Sequence, residues 1–450
     1  MRRKYSEMAA QPDLYSVKVP PSSLVVLVGP AASGKSSWAK KHFATSQIVS
    51  SDALRSTVAD DEAMQEASAD AFMLLHKIVE ARLRRGLVTV VDSTALTTES
   101  RRKLLAIAAA YGRSAIAVIF QIDEKTQYDW NDKRSRSVNQ RVLHEHRELA
   151  ADVMNHLPNE GFSAYYTIHS PQMMESTQVI RNIVDDAGPF DIIGDVHGCY
   201  SELCDLLLKL GYQQQSPNQF LWKHPQNRKL VFVGDLCDRG PDTVSVIRLA
   251  MEMQKARLAW LVQGNHDYKI AIKIDTNDPL PEQPQNAGEI TVREILNASA
   301  NSPQLKQQII HLLKFAPGYL IFDKGELVIT HGGILDSMIG SWSPRIKSFC
   351  MYGEVFSPNN TAAVHLDWIH RRQVHKTSPL IVYGHTPMQN PFIFNKTVDI
   401  DTGCCYGGKL TAYRYPEHIT VSVSAKASYA RKKRKNFLSE KAIAKERGAD

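Results

Sequence analysis

The chain lacks the features that mark membrane and secreted proteins. Its 450 residues contain no run of 18 apolar residues, so the sequence predicts no membrane-spanning helix. Arg2, Arg3 and Lys4 are not followed by an apolar segment, so we expect no secretory signal peptide. The six cysteines show no paired spacing typical of a zinc site. These absences favour a cytoplasmic protein with no membrane partner.

Length and charge give the outline of the chain. Because 450 residues exceed what one hydrophobic core usually fills, we expect two domains. The formal net charge is +7, and the segment 426–450 alone carries nine Lys or Arg and three acids, clustered around Arg431–Lys435. This basic tail is interpreted either as a solvated, disordered end or as a contact to a phosphate backbone.

Turn-forming residues suggest where the two domains join. Pro158 and Gly161 open a punctuated segment, and Gly188 and Pro189 close it just before an apolar run. We expect an N-terminal extension over 1–20, a first domain over 21–157, a linker over 158–188, a second domain over 189–423 and the basic tail over 424–450.

A phosphate-binding loop lies near the start of the chain. The apolar run Leu24–Val28 predicts a strand buried on both faces, and it leads directly into Gly29-x-x-x-x-Gly34-Lys35-Ser36. The glycines turn backbone N–H groups toward phosphate oxygens, Lys35 reaches the β and γ phosphates, and the Ser36 hydroxyl can hold Mg²⁺. The motif predicts a site for ATP and Mg²⁺. Its expected nucleotide-binding residues are Gly29, Ser33, Gly34, Lys35, Ser36 and Ser37.

Two further segments could complete a phosphoryl-transfer site. Asp52 and Arg55 are one helical turn apart, so Asp52 could take the proton from an attacking hydroxyl while Arg55 holds a phosphate of the acceptor. The alternative is that Asp52 caps a helix and Arg55 is solvated. Asp92 ends another apolar run, 87–91, and is expected to orient the metal rather than to act as the base.

Strand-like and helix-like segments alternate through this first domain. The alternation predicts an α/β domain with a parallel, doubly wound sheet. Past the strand-like run 115–120, arginines including Arg134 suit a helical lid over the transferred phosphoryl group. The alternative is a solvent-facing basic helix.

These motifs together resemble the kinase domain of the bacterial polynucleotide kinase-phosphatase family. The resemblance is carried by Gly29 to Ser36, Ser51-Asp52-x-x-Arg55, Val91-Asp92-Ser93-Thr94 and Arg134. It implies phosphorylation of a nucleic-acid 5′-hydroxyl with Asp52 as the general base. One departure is Trp130, which precedes Asn131 where the family usually has an arginine, so that arginine is not carried over.

The second domain has five apolar strand-like runs, each of which ends in polar residues that can bind metals. The motifs are Gly194-Asp195-Val196-His197-Gly198, Gly234-Asp235-Leu236-Cys237-Asp238-Arg239-Gly240, Gly264-Asn265-His266-Asp267, His331-Gly332-Gly333 and Gly384-His385-Thr386-Pro387. Oxygen and imidazole ligands favour a pair of transition-metal ions such as Mn²⁺. The expected metal ligands are Asp195, His197, Asp235, Asn265, His331 and His385.

The roles within this set follow from ligand chemistry. Asp235 is the natural bridge between two ions, with Asp195 and His197 on one ion and the remaining ligands on the other. Two groups are left for the substrate. Arg239 can grip phosphate oxygens, and His266, steadied by Asp238, can protonate the leaving alkoxide.

The five motifs resemble the calcineurin-like metallophosphoesterases, whose shared fold is a β-sandwich flanked by helices. The resemblance therefore implies an α+β second domain. The run Val398–Ala412 is similar to the phosphatase domain of the kinase-phosphatase family, and this similarity marks Asp401 as an active-site carboxylate. A turn aspartate before Gly403 is the alternative for Asp401.

The two resemblances lead to one expected function, healing of RNA or possibly DNA ends. The implied enzyme phosphorylates 5′-hydroxyl ends and hydrolyses 2′,3′-cyclic phosphates and 2′- or 3′-phosphates. Since the chain has no ligase module before its end at Asp450, we expect a separate ligase to seal the ends. The rivals are a protein serine/threonine phosphatase or a dinucleoside polyphosphate hydrolase, fused to a small-molecule kinase.

Overall fold

The computed structural model describes residues 15–61, 64–134, 136–216, 220–276, 279–354 and 367–430. The chain divides into two compact units, Met1–Ile180 and Arg181–Asp450. Lys432–Lys435, the centre of the basic tail, lie outside the described residues, as do residues 1–14. Within the described ranges, no helix combines the length and the apolar character that crossing a bilayer requires.

The first unit alternates strands and helices. Its strands are β1 Ser16–Val19, β2 Leu24–Val28, β3 Ile48–Ser50, β4 Thr89–Asp92, β5 Ala115–Phe120, β6 Ala164–Ile168 and β7 Gln178–Arg181, which ends at the unit boundary. Its α-helices are α1 Lys35–His42, α2 Ser51–Ala59, α3 Ser68–Arg84, α4 Thr98–Ala110, α5 Glu124–Asp132, α6 Gln140–His156 and α7 Pro171–Ser176.

A five-stranded parallel sheet in the order β3-β4-β2-β5-β6 forms the centre of this unit. Helices cover both of its faces. Val26 packs in one core cluster with Leu75 of α3 and Leu104 of α4. Leu27 packs in another with Trp38 of α1. Burial on both faces explains the unbroken apolar run of β2, and the predicted doubly wound fold is confirmed.

The expected linker and N-terminal extension differ from the structure. β6 lies inside the expected linker, yet it pairs in parallel with β5 as the edge strand of the sheet. Tyr165 of β6 is 44% exposed, and such a half-exposed edge strand lacks the apolar run that marks central strands. β1 lies within the expected extension, buries Val17 and Val19, and pairs with β7.

The second unit contains more strands than the first. Its strands are β8 Phe190–Ile193, β9 Gln213–Gln214, β10 Trp222–Lys223, β11 Lys229–Phe232, β12 Ala259–Leu261, β13 Tyr319–Phe322, β14 Leu327–Thr330, β15 Leu380–Tyr383, β16 Phe392–Phe394, β17 Thr397–Asp399, β18 Lys409–Tyr415 and β19 Ile419–Ser424. Its α-helices are α8 Tyr200–Leu210, α9 Thr243–Lys255, α10 Asn265–Thr276, α11 Ala287–Ser299, α12 Pro303–Phe315, α13 Pro344–Tyr352 and α14 Asp367–Arg371.

Two five-stranded sheets form the body of this unit. One has the order β12-β11-β8-β18-β19 and the other β13-β14-β15-β17-β16. Ile192 and Val231 of the first sheet share a buried core with Ile329 and Val382 of the second. On the other face of the first sheet, strand residues such as Phe232 pack with the helices. The predicted α+β sandwich with flanking helices is confirmed.

The start of the expected basic tail is packed rather than free. Ala425 N donates to Gly408 O at 2.9 Å, and the Tyr429 hydroxyl donates to Glu202 Oε1 at 2.7 Å. Residues 424–430 therefore belong to the second unit, and the expected boundary at 424 is too early.

A buried ion pair provides a test of how the first unit is stabilised. Arg101 of α4 is 1% exposed, and it donates to Glu160 Oε1 at 2.6 Å and to the carbonyls of Ala95 and Leu96. Arg101→Ala would remove the charged partner of Glu160, which would keep the Thr98 hydroxyl as a donor, and it would leave two buried carbonyls without a donor. We therefore expect it to destabilise this unit by about 3–5 kcal/mol. Hydrogen exchange of peptides from residues 89–120 measures the effect. The control Arg102→Ala, at an exposed neighbour, should change stability by less than about 0.5 kcal/mol. Equal effects of the two variants would contradict this role.

Candidate functional site

The carboxyl end of the parallel sheet in the first unit opens into a cavity of about 1060 Å³. β2 leads into the phosphate-binding loop, and the same cavity is lined by the residues after β3 and β4. Parallel strands present their carboxyl ends at one edge, which is where open α/β sheets bind ligands. Of the predicted residues, the cavity is lined by Ser33, Gly34, Lys35, Ser36, Ser37, Asp52, Arg55, Asp92 and Arg134.

Lys35 lies folded against its own loop. Its ammonium donates to Gly29 O at 2.9 Å and to Pro30 O at 2.6 Å, so Gly29 contributes a carbonyl to the site. Burial lowers the pKa of Lys35 to about 8. Gly34 has a left-handed backbone, φ 88°, immediately before α1, and this conformation favours glycine. The loop therefore presents the N-terminus of α1 to the cavity, the arrangement that binds phosphate.

The predicted acidic residues flank the loop on two sides. Burial raises the pKa of Asp92, and the Ser36 hydroxyl beside it lowers the pKa. Ser36 and Asp92 are the residues that would hold a Mg²⁺ ion here. Asp52 forms an ion pair with Arg55 on α2. The cap of α2 is Ser50, whose side chain accepts from Ala53 N, so Asp52 is not the cap. Its side chain is 45% exposed, which leaves it accessible from the cavity.

Arg134, which was expected on a helical lid, lies at the cavity but not on a helix. Arg134 lines the cavity, and its charge contributes to lowering the pKa of Lys35 after the larger effect of burial. It lies in the connection between α5 and α6 rather than on a helix. Trp130 of α5 also lines the cavity and packs beside Gly34, together with Met174.

Two residues that support the loop were missed in the sequence. Gln127 of α5 donates to Ala31 O at 2.7 Å, and the ring of His146 on α6 accepts from Ala31 N at 3.4 Å. These contacts join positions about 100 residues apart in the chain. The sequence carries no local signal for such contacts.

The second unit gathers its predicted ligands into two overlapping groups. Asp195, His197 and Asp235 form one group, and Asp235, His331 and His385 form the other. In each group the candidate ligand atoms lie within 4.8 Å of one another. Asn265 Oδ1 is 3.0 Å from His331 Nε2 and 3.1 Å from His385 Nδ1, so Asn265 belongs to the second group. Sharing of Asp235 is what a bridging ligand requires.

Backbone carbonyls fix the orientation of two imidazoles. His197 Nδ1 lies 3.0 Å from Cys237 O, and His331 Nδ1 lies 3.0 Å from Val233 O. A carbonyl can only accept, so each Nδ1 carries the proton and each Nε2 keeps its lone pair for a ligand role. Burial lowers the pKa of His197 to about 3 and also lowers the pKa of His331, which keeps both rings neutral as metal ligation needs.

The charges of the carboxylates also fit a pair of cations. Burial raises the pKa of Asp195, and the nearby charges of Asp401 and Asp235 raise it further. Although burial alone would raise the pKa of Asp235, His331 and the other surrounding imidazoles hold it well below its usual range. Crowded acids of this kind are stabilised by divalent ions. The donor set, oxygen and imidazole without thiolate, matches a transition-metal pair.

Backbone strain is concentrated at this site. Five of its side-chain-bearing residues have left-handed backbones, with φ between 46° and 77°: His197, Asp235, Asp238, Arg239 and His385. Such conformations cost free energy and persist where the surrounding structure imposes them. Gly264 and Gly384 allow this packing, because a Cβ at either position would collide with Asp235 or Asp195.

The expected substrate-binding groups form a connected chain. Arg239 Nη1 donates to His197 Nε2 at 2.8 Å, and Arg239 Nη2 lies 2.7 Å from His266 Nε2. His266 Nδ1 lies 2.6 Å from Asp238 Oδ2, as predicted for a carboxylate that steadies it. Tyr406 was missed: its ring lies 5.2 Å from the Arg239 guanidinium carbon, a cation–π contact that helps to hold the arginine.

Asp401 lies beside the metal ligands and is 3% exposed. Its Oδ1 accepts from Gly403 N at 2.9 Å, as expected of a turn aspartate, while its charge raises the pKa of Asp195. The two interpretations of Asp401 are therefore compatible in one residue.

Comparisons with known proteins agree with this division into two sites. Residues 24–157 match the AAA domain family model, and residues 188–422 match the calcineurin-like phosphoesterase model. Three curated relatives are bis(5′-nucleosyl)-tetraphosphatases PrpE [asymmetrical]. The protein from Halalkalibacterium halodurans is 41% identical over 55% of this chain and 98% of its own length. Those from Oceanobacillus iheyensis and Bacillus velezensis are each 38% identical, over 55% and 53% of this chain and 96% and 94% of their own lengths.

The second match spans more than half of the chain, and it contains all six predicted metal ligands. The chain therefore belongs to the calcineurin-like phosphoesterase family, with a P-loop kinase-like domain preceding the phosphoesterase domain.

Proposed function

We propose that the protein heals nucleic-acid ends, most naturally those of RNA. In this proposal the first domain phosphorylates 5′-hydroxyl ends with ATP, and the second hydrolyses 2′,3′-cyclic phosphate and 2′- or 3′-phosphate ends. The observation that supports it most is the placement of Asp52 and Arg55 in one cavity with Lys35. A base and a phosphate-binding cation facing a nucleotide loop suit an acceptor that carries both a hydroxyl and a phosphate.

The first domain would act mainly by positioning ATP and the acceptor hydroxyl for phosphoryl transfer. The loop and Lys35 would hold the phosphates of ATP, and Arg134 would add positive charge where the phosphoryl group transfers. Mg²⁺ held by Ser36 and Asp92 would neutralise charge that develops on the phosphates. Asp52 would accept the proton of the attacking hydroxyl, and Arg55 would bind the phosphate next to that hydroxyl.

In the second domain, different residues would bind the substrate and transfer the proton. A pair of divalent ions, with Mn²⁺ as our proposal, would supply Lewis acidity and an activated water. Arg239 would bind two phosphate oxygens with the two ends of its guanidinium. His266 would donate a proton to the leaving oxygen, with Asp238 holding the imidazole in position.

Dinucleoside polyphosphate hydrolysis is the second candidate for this domain. The observation that favours it is the name of its relatives, bis(5′-nucleosyl)-tetraphosphatase, over nearly their full length. Both candidates use the same metal ligands, and they differ in the groups that flank the reacting phosphorus. If end healing is the function, we propose that a separate ligase seals the products.

The two activities should separate by mutation. Lys35→Ala and Asp52→Asn should each lower 5′ phosphorylation of a hydroxyl-ended oligonucleotide by about 100-fold or more, because they remove phosphate charge stabilisation and the base. Transfer of labelled phosphate from ATP measures this, and release of phosphate from a 3′ end should stay unchanged.

Asp70→Asn is the matched control for the base. Asp70 is also an acid in the first turn of a helix, but it is exposed on α3 and does not line the cavity. Its replacement should leave phosphorylation intact. Loss of 3′-phosphate release in the Lys35 or Asp52 variant would contradict the division of the two activities between domains.

His266 should matter most for poor leaving groups. His266→Ala should reduce hydrolysis of a nucleoside 3′-phosphate by about 100-fold or more, while p-nitrophenyl phosphate, whose leaving group needs no proton, should lose far less. Steady-state kinetics on both substrates, with metal content measured in parallel, gives the comparison. Equal losses on the two substrates at full metal content would show that His266 is not the general acid.

A further inference from the structure

A second cluster of side chains lies beside the metal-ligand groups, on the side of His385. The ring centroid of Tyr352 is 6.5 Å from that of His385, with the rings nearly perpendicular at 85°. Lys269 Nζ lies 5.7 Å from the centroid of the Tyr352 ring, and Lys347 Nζ lies 5.1 Å from that of Tyr268. We call Tyr268, Lys269, Lys347 and Tyr352 the tyrosine-lysine cluster.

The backbone ties this cluster to the metal ligands. Tyr268 and Lys269 lie on α10, the helix that begins at the ligand Asn265. Tyr352 is the last residue of α13, and Gly332, which follows the ligand His331, donates its N–H to Cys350 O at 2.5 Å. A Cβ at Gly332 would collide with the backbone of residues 351–353, so the two segments approach closely there. The position of Tyr352 relative to the ligands is therefore fixed by close backbone packing.

The positive charge of this cluster is not neutralised within the described part of the protein. No carboxylate among the described residues pairs with Lys269 or Lys347, although the surface of this unit contains many ion pairs. Burial lowers the pKa of Lys347, and the charge of Lys314 lowers it further. Lys314 has its own carboxylate, Asp275. A partly buried ammonium group without an acid is a ready site for an anion.

The aromatic rings indicate which kind of anion would bind at this site. A phosphate alone would need only the ammonium groups, whereas tyrosine rings also offer flat surfaces on which a nucleobase can stack. Cation–π contacts hold each lysine beside a ring, so the charge and the stacking surface are presented together. This combination suits a nucleotide. Arg239, which contacts Tyr406 and His197, is the group proposed above to bind the reacting phosphate.

We propose that the tyrosine-lysine cluster is a subsite for the nucleotide next to the phosphate that reacts. Lys269 and Lys347 bind its neighbouring phosphate, and Tyr352 stacks on its base. This inference rests on the proposed function, because it requires a substrate with more than one phosphate and a nucleoside. It explains how the site would distinguish a nucleic-acid end or a dinucleoside polyphosphate from a simple phosphate monoester.

The test is competition against p-nitrophenyl phosphate hydrolysis by the full-length protein with Mn²⁺. This readout follows only the phosphoesterase site, so nucleotide binding in the first domain does not disturb it. The competitors are adenosine 3′,5′-bisphosphate, pyrophosphate and inorganic phosphate.

Lys269→Gln combined with Lys347→Gln should raise the inhibition constant of the bisphosphate about tenfold or more, and that of inorganic phosphate by less than about twofold. Tyr352→Ala should raise the inhibition constant of the bisphosphate about tenfold and leave that of pyrophosphate unchanged. Tyr352→Phe should bind the bisphosphate as the unmodified protein does.

Lys273→Gln is the matched control. Lys273 is exposed on the same helix, one turn further along, and its charge acts on Glu289. It should change none of the inhibition constants. The inference is overturned if the double lysine variant binds the bisphosphate as the unmodified protein does. It is also overturned if the variant loses affinity for the bisphosphate and for inorganic phosphate by the same factor.

Two substrates identify where the nucleotide comes from. The double lysine variant should lose kcat/KM on a 3′-phosphorylated dinucleotide if the subsite serves nucleic-acid ends, and on diadenosine tetraphosphate if it serves dinucleoside polyphosphates. A protein that hydrolyses neither would contradict the proposed function, while the competition result would still decide the subsite. If the protein hydrolyses one or both substrates and the variant loses activity on neither, the subsite alone is overturned.

Discussion

Both candidate sites depend on one constraint: parallel strands bring the residues that follow them to the same edge of a sheet. In the first unit this places the loop after β2 beside Asp92, which ends β4. In the second unit β8 and β11 are parallel in one sheet, and β14 and β15 are parallel in the other. Their carboxyl ends meet, so ligands from distant parts of the chain converge.

Bringing so many acids and imidazoles together costs free energy, which the surrounding structure must offset. Asp195, Asp235 and Asp401 interact unfavourably, and five site residues have strained backbones. Close packing against glycines and hydrogen bonds that His197 and His331 donate to backbone carbonyls hold these residues in place. A pair of divalent ions would remove most of the repulsion, which links the stability of the site to its occupancy.

Features of the fold and of the sites that depend on local sequence patterns could be predicted from the sequence alone. The run Leu24–Val28 predicted a central strand because burial on both faces demands an unbroken apolar segment. The six predicted metal ligands could be recognised because each follows an apolar strand-like run. β6 was missed since an edge strand is only half buried and lacks this pattern. Contacts such as Tyr406 with Arg239 were also missed, because packing between distant segments leaves no local spacing to detect.

We propose that one chain processes both ends of a broken strand. To test this, the protein and Mn²⁺ are incubated with an oligonucleotide that has a 5′-hydroxyl and a 2′,3′-cyclic phosphate, with and without ATP, and both ends are resolved. We expect loss of the cyclic phosphate under both conditions and a new 5′-phosphate only with ATP. An unchanged oligonucleotide, together with rapid hydrolysis of diadenosine tetraphosphate, would contradict the claim.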